Sequence, residues 1–234
     1  MTISLAALSL SSLGVAEVWA TASFVVKAII ILMLAMGLAC IYVAIERWVS
    51  FFKAQAESRA LSVILSENFE KKDIKAAISA CQDEEYKRSY LSHVLEPALK
   101  EIDERLDRHG IDAATRALES AAIIESSDLK RGMPILATVG STSPFVGLVG
   151  TIFGIIHTFQ SFGGDGGGDL LGIIGQIGEA LYATAVGIAV AIIGVWLYNY
   201  FNSRIDRITQ EITLFAQEFL GWCEKEILKD DTKA

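Results

Sequence analysis

The chain has 234 residues, 52% of them hydrophobic, and a formal net charge of −8; its mean hydropathy is +0.43. That composition argues against one or two ordinary soluble domains and for a membrane protein. No basic, aromatic-interleaved patch suggests nucleic acid as a partner, and the negative charge resides mostly outside the apolar runs.

Residues 1–26 contain no Lys or Arg, so they lack the basic n-region of a secretory signal. The segment 1–27 therefore reads as a weakly amphipathic leader. Residues 28–45, between Lys27 and Glu46, are free of charge and just long enough to cross a bilayer. Trp19 and Trp48 flank this window as interfacial anchors, and the first span is placed at 28–48. The following segment, 49–131, carries helical spacing in Leu61, Ile64, Leu65 and Phe69. The same spacing recurs in Leu91, Val94, Leu95, Leu99, Ile102 and Leu106. The polar stretch from Asp83 to Tyr86 predicts a turn, Gly110 a helix stop, and Asp112 the cap of a new helix. That helix, from Ala113 to Lys130, is expected to run unbroken into the second span.

The second span, 132–162, lies in a stretch from Gly132 to Gly164 without Asp, Glu, Lys or Arg. A Gly-rich loop, 163–169, precedes the third span, 170–203. Those 34 residues contain a single ionisable carboxylate or basic group, Glu179. A carboxylate inside a span costs several kcal/mol unless it faces a water-filled path or a polar partner, so Glu179 points to ion passage, the alternative being snorkelling to the outer interface or a structural hydrogen bond. Arg47, Lys53, Arg59, Lys130, Arg131, Arg204 and Arg207 flank the three spans on one side. By the positive-inside rule that side is the cytoplasm, with the N-terminus periplasmic and the C-terminus cytoplasmic. The tail, 204–234, repeats Ile205, Ile208, Ile212, Phe215, Phe219 and Trp222 in steps of three and four, a heptad seam that needs a helical partner. Cys40, Cys81 and Cys223 have no metal-ligand spacing and are expected to stay reduced. The predicted fold is an all-α membrane protein with three transmembrane helices and long cytoplasmic helical extensions.

Gly147, Gly150, Thr151 and Gly154 in the second span, with Gly178, Ala183, Thr184, Gly187, Ala191 and Gly194 in the third, form small-residue faces suited to close helix packing. Pro144 bends the second span or frees carbonyls. Counted from the loop centre near Gly166, Thr151 and Thr184 lie 15 and 18 residues away, which lets an antiparallel pair bring them to one level. Glu179 sits about 7.5 Å nearer the outside than Thr184. Each threonine could instead bond to its own helix backbone. The His157 imidazole could serve proton relay or simply meet water at the outer interface, and Tyr198, Asn199 and Tyr200 form an interfacial belt. An intramembrane hydrolase using Ser141 or Ser143 with His157, and a non-conducting scaffold held by the heptad tail, are the rival classes. No enzyme activity, cofactor or metal is predicted.

The second span reads Ser143-Pro144-Phe145-Val146-Gly147-Leu148-Val149-Gly150-Thr151-Ile152-Phe153-Gly154-Ile155-Ile156-His157-Thr158-Phe159. The third reads Ile177-Gly178-Glu179-Ala180-Leu181-Tyr182-Ala183-Thr184-Ala185-Val186-Gly187-Ile188-Ala189-Val190-Ala191-Ile192. Both resemble the paired signatures of the MotA/TolQ/ExbB proton-channel family, and the three-span layout resembles its ExbB/TolQ branch. The resemblance implies a homopentameric ring around two copies of a single-span ExbD/TolR-like partner, whose Asp carries the proton. It implies that Thr151 and Thr184 stand beside that Asp, that Glu179 is a pore glutamate, and that the complex couples proton-motive force to mechanical work in the bacterial inner membrane. Ile193 stands where many relatives have proline. The scarcity of further intramembrane carboxylates points to H⁺ rather than Na⁺.

Overall fold

The protein is seen in a computed structural model that describes residues 24–164 and 170–231, with side chains other than those of 161–164, 170–175, 179 and 227–231. The expected leader up to residue 23 and most of the Gly-rich loop lie outside the described residues. Six α-helices follow in order: α1 (Phe24–Lys71), α2 (Ile74–Cys81), α3 (Tyr90–Glu104), α4 (Arg108–Leu129), α5 (Met133–Gly164) and α6 (Leu170–Asp231). A short 3-10 turn, Glu84–Tyr86, stands between α2 and α3. Among the described residues, three helices are long and apolar enough to cross a membrane: α1, α5 over Met133–Gln160, and α6 over Gln176–Glu226. Two compact units result, an apolar one of Met1–Tyr42 and Ile135–Leu197 and a polar one of Val43–Pro134 and Tyr198–Ala234.

In the apolar unit, Val26, Ile30 and Met33 of α1 pack with Ala183 of α6, and Ile29, Val146 and Val186 close around them. The α5–α6 contact is made by backbone. A Cβ on Gly187 would lie 2.7 Å from the Ser143 carbonyl oxygen and 3.1 Å from the Gly147 Cα. One on Gly194 would lie 3.0 Å from the Gly140 nitrogen, and one on Gly154 would lie 2.6 Å from the Ala180 Cβ. Glycine at these sites lets two helices with no hydrophobic drive between them gain dispersion contacts along their length. The outward faces carry large apolar side chains, among them Leu38, Phe145, Ile192 and Trp196. That much exposed apolar surface suits lipid or other apolar helices rather than water.

In the polar unit the heptad seam of α6 is buried within the chain itself. Ile205, Ile208, Ile212 and Phe219 are almost fully enclosed. Phe51 of α1 meets Phe201 edge-on at 5.9 Å, and Phe69 packs on Phe219 and Trp222 at 5.4 and 5.3 Å. Trp48 and Tyr200 stack at 5.7 Å, joining two residues expected at a membrane interface. Polar cross-links fix the shorter helices. The Tyr90 hydroxyl donates to Glu211 at 2.5 Å, and Ser58 and Ser89 share a hydrogen bond at 3.0 Å. Burial, then the hydrogen bond to Glu211, pushes the Tyr90 phenol above its ordinary pKa. All three cysteines are free and buried; burial pushes the thiols of Cys81 and Cys223 up to about 12, which keeps them unreactive.

Three local expectations are corrected. The cap of α4 is Asp107, whose carboxylate accepts from the Gly110 amide at 2.8 Å, so Gly110 lies in the first turn and is not a stop, and Asp112 is helix interior. An Asp three residues before a tolerated Gly caps as well as one two residues after it, and the bond decides. Helix α4 does not run into the second span. It ends at Leu129, and Gly132 takes φ +81°, a left-handed turn that only glycine adopts without strain. Leu106 follows the α3 terminus and is exposed, so the apolar series of that helix ends at Ile102.

His93 of α3 lies 2.8 Å from the Glu125 carboxylate of α4 through Nδ1 and 2.9 Å from the Lys87 carbonyl through Nε2. Both partners accept only, so the imidazolium, which donates from both nitrogens, is the form that satisfies them. The hydrogen bond to Glu125 raises the His93 pKa above its ordinary 6.5, outweighing burial. A group whose pKa rises on folding stabilises below its unfolded value and loses that contribution as pH climbs through the folded one. The unfolding temperature of the wild type is therefore expected to fall from mildly acid to mildly alkaline pH more steeply than that of His93→Gln, read by circular dichroism.

The α5–α6 backbone contact yields a second expectation. Gly187→Ala should destabilise the protein by about 1–3 kcal/mol through overpacking. Gly37→Ala, whose Cβ would meet Val190 at an ordinary 3.6 Å, should be nearly neutral. Thermal unfolding in detergent compares the two.

Candidate proton-path site

Helices α5 and α6 approach closely enough at Gly147, Ala183 and Gly187 to bring two hydroxyls together. A Cβ on Gly147 would lie 3.0 Å from both the Ala183 oxygen and the Thr184 Cα. Four residues along α5, the Thr184 hydroxyl donates to Thr151 Oγ1 at 3.4 Å. Thr151 is buried, and its hydroxyl in turn donates to the Leu148 carbonyl at 2.7 Å. The two threonines therefore use different partners, one its own backbone and one the facing helix. The result is a short chain of polar atoms, carbonyl to hydroxyl to hydroxyl, inside an otherwise apolar contact. Ala183 beside it is fully buried, while Thr184 is only half-buried and keeps one side open.

Glu179 stands on α6, and its side chain lies outside the described residues. Five residues separate it from Thr184, about 7.5 Å of helix rise. Pro144 is half-buried inside α5, which continues through it. His157 is exposed on α5, six residues or about 9 Å beyond Thr151, and the structure does not bring it to the threonine pair. Tyr198 belongs to the polar unit.

The serine residues of the rival hydrolase reading are occupied otherwise. Ser143 is fully buried and donates to the Val139 carbonyl at 2.7 Å, and Ser141 donates to the Thr138 carbonyl at 3.1 Å. Both share the continuous helix α5 with His157. Fourteen residues from Ser143 place that imidazole about 21 Å away along the axis, far beyond the reach of a general base.

Residues 67–213, more than half of the chain, match the family described as the MotA/TolQ/ExbB proton channel family. The chain belongs to that family. Its relatives carry names of the ExbB/TolQ branch. It is 41% identical over 103 residues to the biopolymer transport protein ExbB of Xanthomonas campestris pv. campestris (strain B100), covering 44% of this chain and 41% of that protein. It is 33% identical over 149 residues to the Tol-Pal system protein TolQ of Pseudomonas aeruginosa, covering 61% of this chain and 64% of that one. A third similarity, 37% over 121 residues, is to TolQ of Haemophilus influenzae, with 52% and 53% covered. The chain thus spans less than two thirds of the length of these relatives.

The sequence does not reveal His93 with Glu125 or the basic residues around them. They lie 32 positions apart on different helices, and neither stands out from its neighbours by periodicity or composition.

The hydroxyl contact itself is expected to be weak. In a double-mutant cycle of Thr151→Val and Thr184→Val, the coupling energy should be about 0.6 kcal/mol, the size found for hydrogen bonds between membrane helices. Unfolding of the detergent-solubilised variants measures it.

Proposed function

We propose that this chain is the proton-channel subunit of a bacterial inner-membrane motor that couples proton-motive force to mechanical work across the envelope. The hydroxyl pair Thr184–Thr151 carries the reading: two polar groups meet between apolar helices whose glycines hold them there. With Glu179 about one and a half turns before Thr184 on α6, they supply the polar wall of a path for protons. The spans of the chain contain no Asp to load and release a proton. The carrier is then the Asp of a single-span ExbD/TolR-like partner, two copies of which occupy the centre of a homopentamer of this chain. Names of relatives in both the ExbB and TolQ lines support this assembly. About 2.3 kcal/mol per charge per 100 mV is available from the potential. The N-terminus lies in the periplasm and the C-terminus in the cytoplasm, as the basic flanks of the spans direct.

Proton flux into vesicles carrying the chain with its partner, at a fixed potential, tests the proposal. Glu179→Ala, Thr151→Val and Thr184→Val are each expected to lower flux about tenfold, equivalent to about 1.4 kcal/mol of barrier. Native mass spectrometry should show the pentamer intact in each. Wild-type flux in all three variants would overturn the proton path and leave a non-conducting scaffold, and a stable monomer would overturn the ring.

A further inference from the structure

A pocket of about 300 Å³ opens in the polar unit between α1, the 3-10 turn, α3 and the end of α4. Four full cations line it, Arg47, Lys87, Arg88 and Arg131, against the two carboxylates Glu125 and Asp128. Half of these six charges are already paired. Arg47 is held by Glu46 and donates to the Asp128 carbonyl at 3.3 Å, Lys87 bonds the Glu84 carboxylate at 3.0 Å, and Glu125 is taken by His93. The guanidinium groups of Arg88 and Arg131 differ. Among the described residues neither guanidinium makes a hydrogen bond or a close ion pair, although Glu46 feels the charge of Arg131; the backbone amide of Arg88 donates to Glu57 at 2.7 Å. Two planar forks with unspent donors, beside walls fixed by their own ion pairs, match the oxygens of a phosphate group.

We infer that this pocket binds a phosphate-bearing anion, and that its source is the headgroup of an anionic phospholipid. The level of the pocket favours the lipid. Arg47 lies at the end of the first span, two residues past its charge-free run 28–45, and Arg131 lies two residues before the start of α5. Trp48, more than half exposed and stacked on Tyr200, presents the aromatic pair that sits among headgroups. Basic pockets at this depth on the positively flanked side of a membrane protein take such headgroups.

The test uses the full-length chain, purified in detergent and delipidated, with native mass spectrometry and thermal unfolding as readouts. Phosphatidylglycerol, phosphatidylcholine and soluble glycerol phosphate are the probes. Phosphatidylglycerol is expected to bind about tenfold more tightly than phosphatidylcholine and to raise the unfolding temperature. Arg88→Gln should weaken that binding about fivefold and Arg88→Gln with Arg131→Gln about twentyfold, at one surface cation's contribution each. Arg116→Gln, at an exposed cation of α4 outside the pocket, should leave binding unchanged. Should the double variant not fold, the single one decides alone. Equal binding of the two lipids, or wild-type affinity in Arg88→Gln, overturns the site. A full thermal shift from glycerol phosphate at the same concentration overturns the lipid as its source.

Discussion

Contact between the backbones of α5 and α6 is the constraint on which the rest of the apolar unit depends. Lipid offers no hydrophobic drive for helices to associate, so association rests on how closely they approach. Gly140 against Gly194, Gly147 against Gly187, and Gly154 against Ala180 set that distance at every second turn. A side chain at any of them would meet main-chain atoms or a short Cβ, which cannot swing aside. The same spacing fixes the register, and the register alone determines that Thr151 meets Thr184 rather than a neighbouring alanine or valine. Polarity at mid-helix is thus a consequence of packing.

The polar unit is held by a different mixture of forces. Its seam along α6 is apolar and aromatic, with Phe51, Phe69, Phe201, Phe219 and Trp222 interlocked. Its short helices are fastened by discrete polar bonds: Ser58 to Ser89, Tyr90 to Glu211, and His93 to Glu125. The Ser58–Ser89 bond is buried, so losing one partner leaves the other unsatisfied, whereas His93 and Glu211 keep access to water. The cationic pocket grows out of this network. Arg47, Lys87 and Glu125 are taken by partners, and the guanidinium groups of Arg88 and Arg131 remain with donors to offer beside the Asp128 carboxylate.

Much of the site was legible because a membrane span is a severe filter. One carboxylate in 34 residues is conspicuous, since nothing else in that stretch carries charge. The level shared by the two threonines followed from counting rise per residue on either side of a short loop. Less was legible where the signals were local and nearly degenerate. Asp107 and Asp112 flank Gly110 symmetrically enough that spacing could not choose the cap, and the break at Gly132 hides in a glycine that equally fits a continuing span. Which partner each threonine hydroxyl selects was open as well, because backbone and facing helix compete for it at similar energies.

The sequence by itself determined the class of the protein: three apolar runs, their basic flanks, the lone Glu179 and the small-residue faces are properties of composition and spacing, which depend on no fold. It also determined that α6 carries a buried seam, since steps of three and four repeat whatever covers them. Only the tertiary structure decided what covers that seam, Phe69 and its neighbours on α1 of the same chain. Only it joined His93 to Glu125 and gathered Arg47, Lys87, Arg88 and Arg131 around one pocket. The physical reason is range: periodicity records what a single helix needs, whereas a contact across dozens of residues depends on the angles and distances at which separate helices pack.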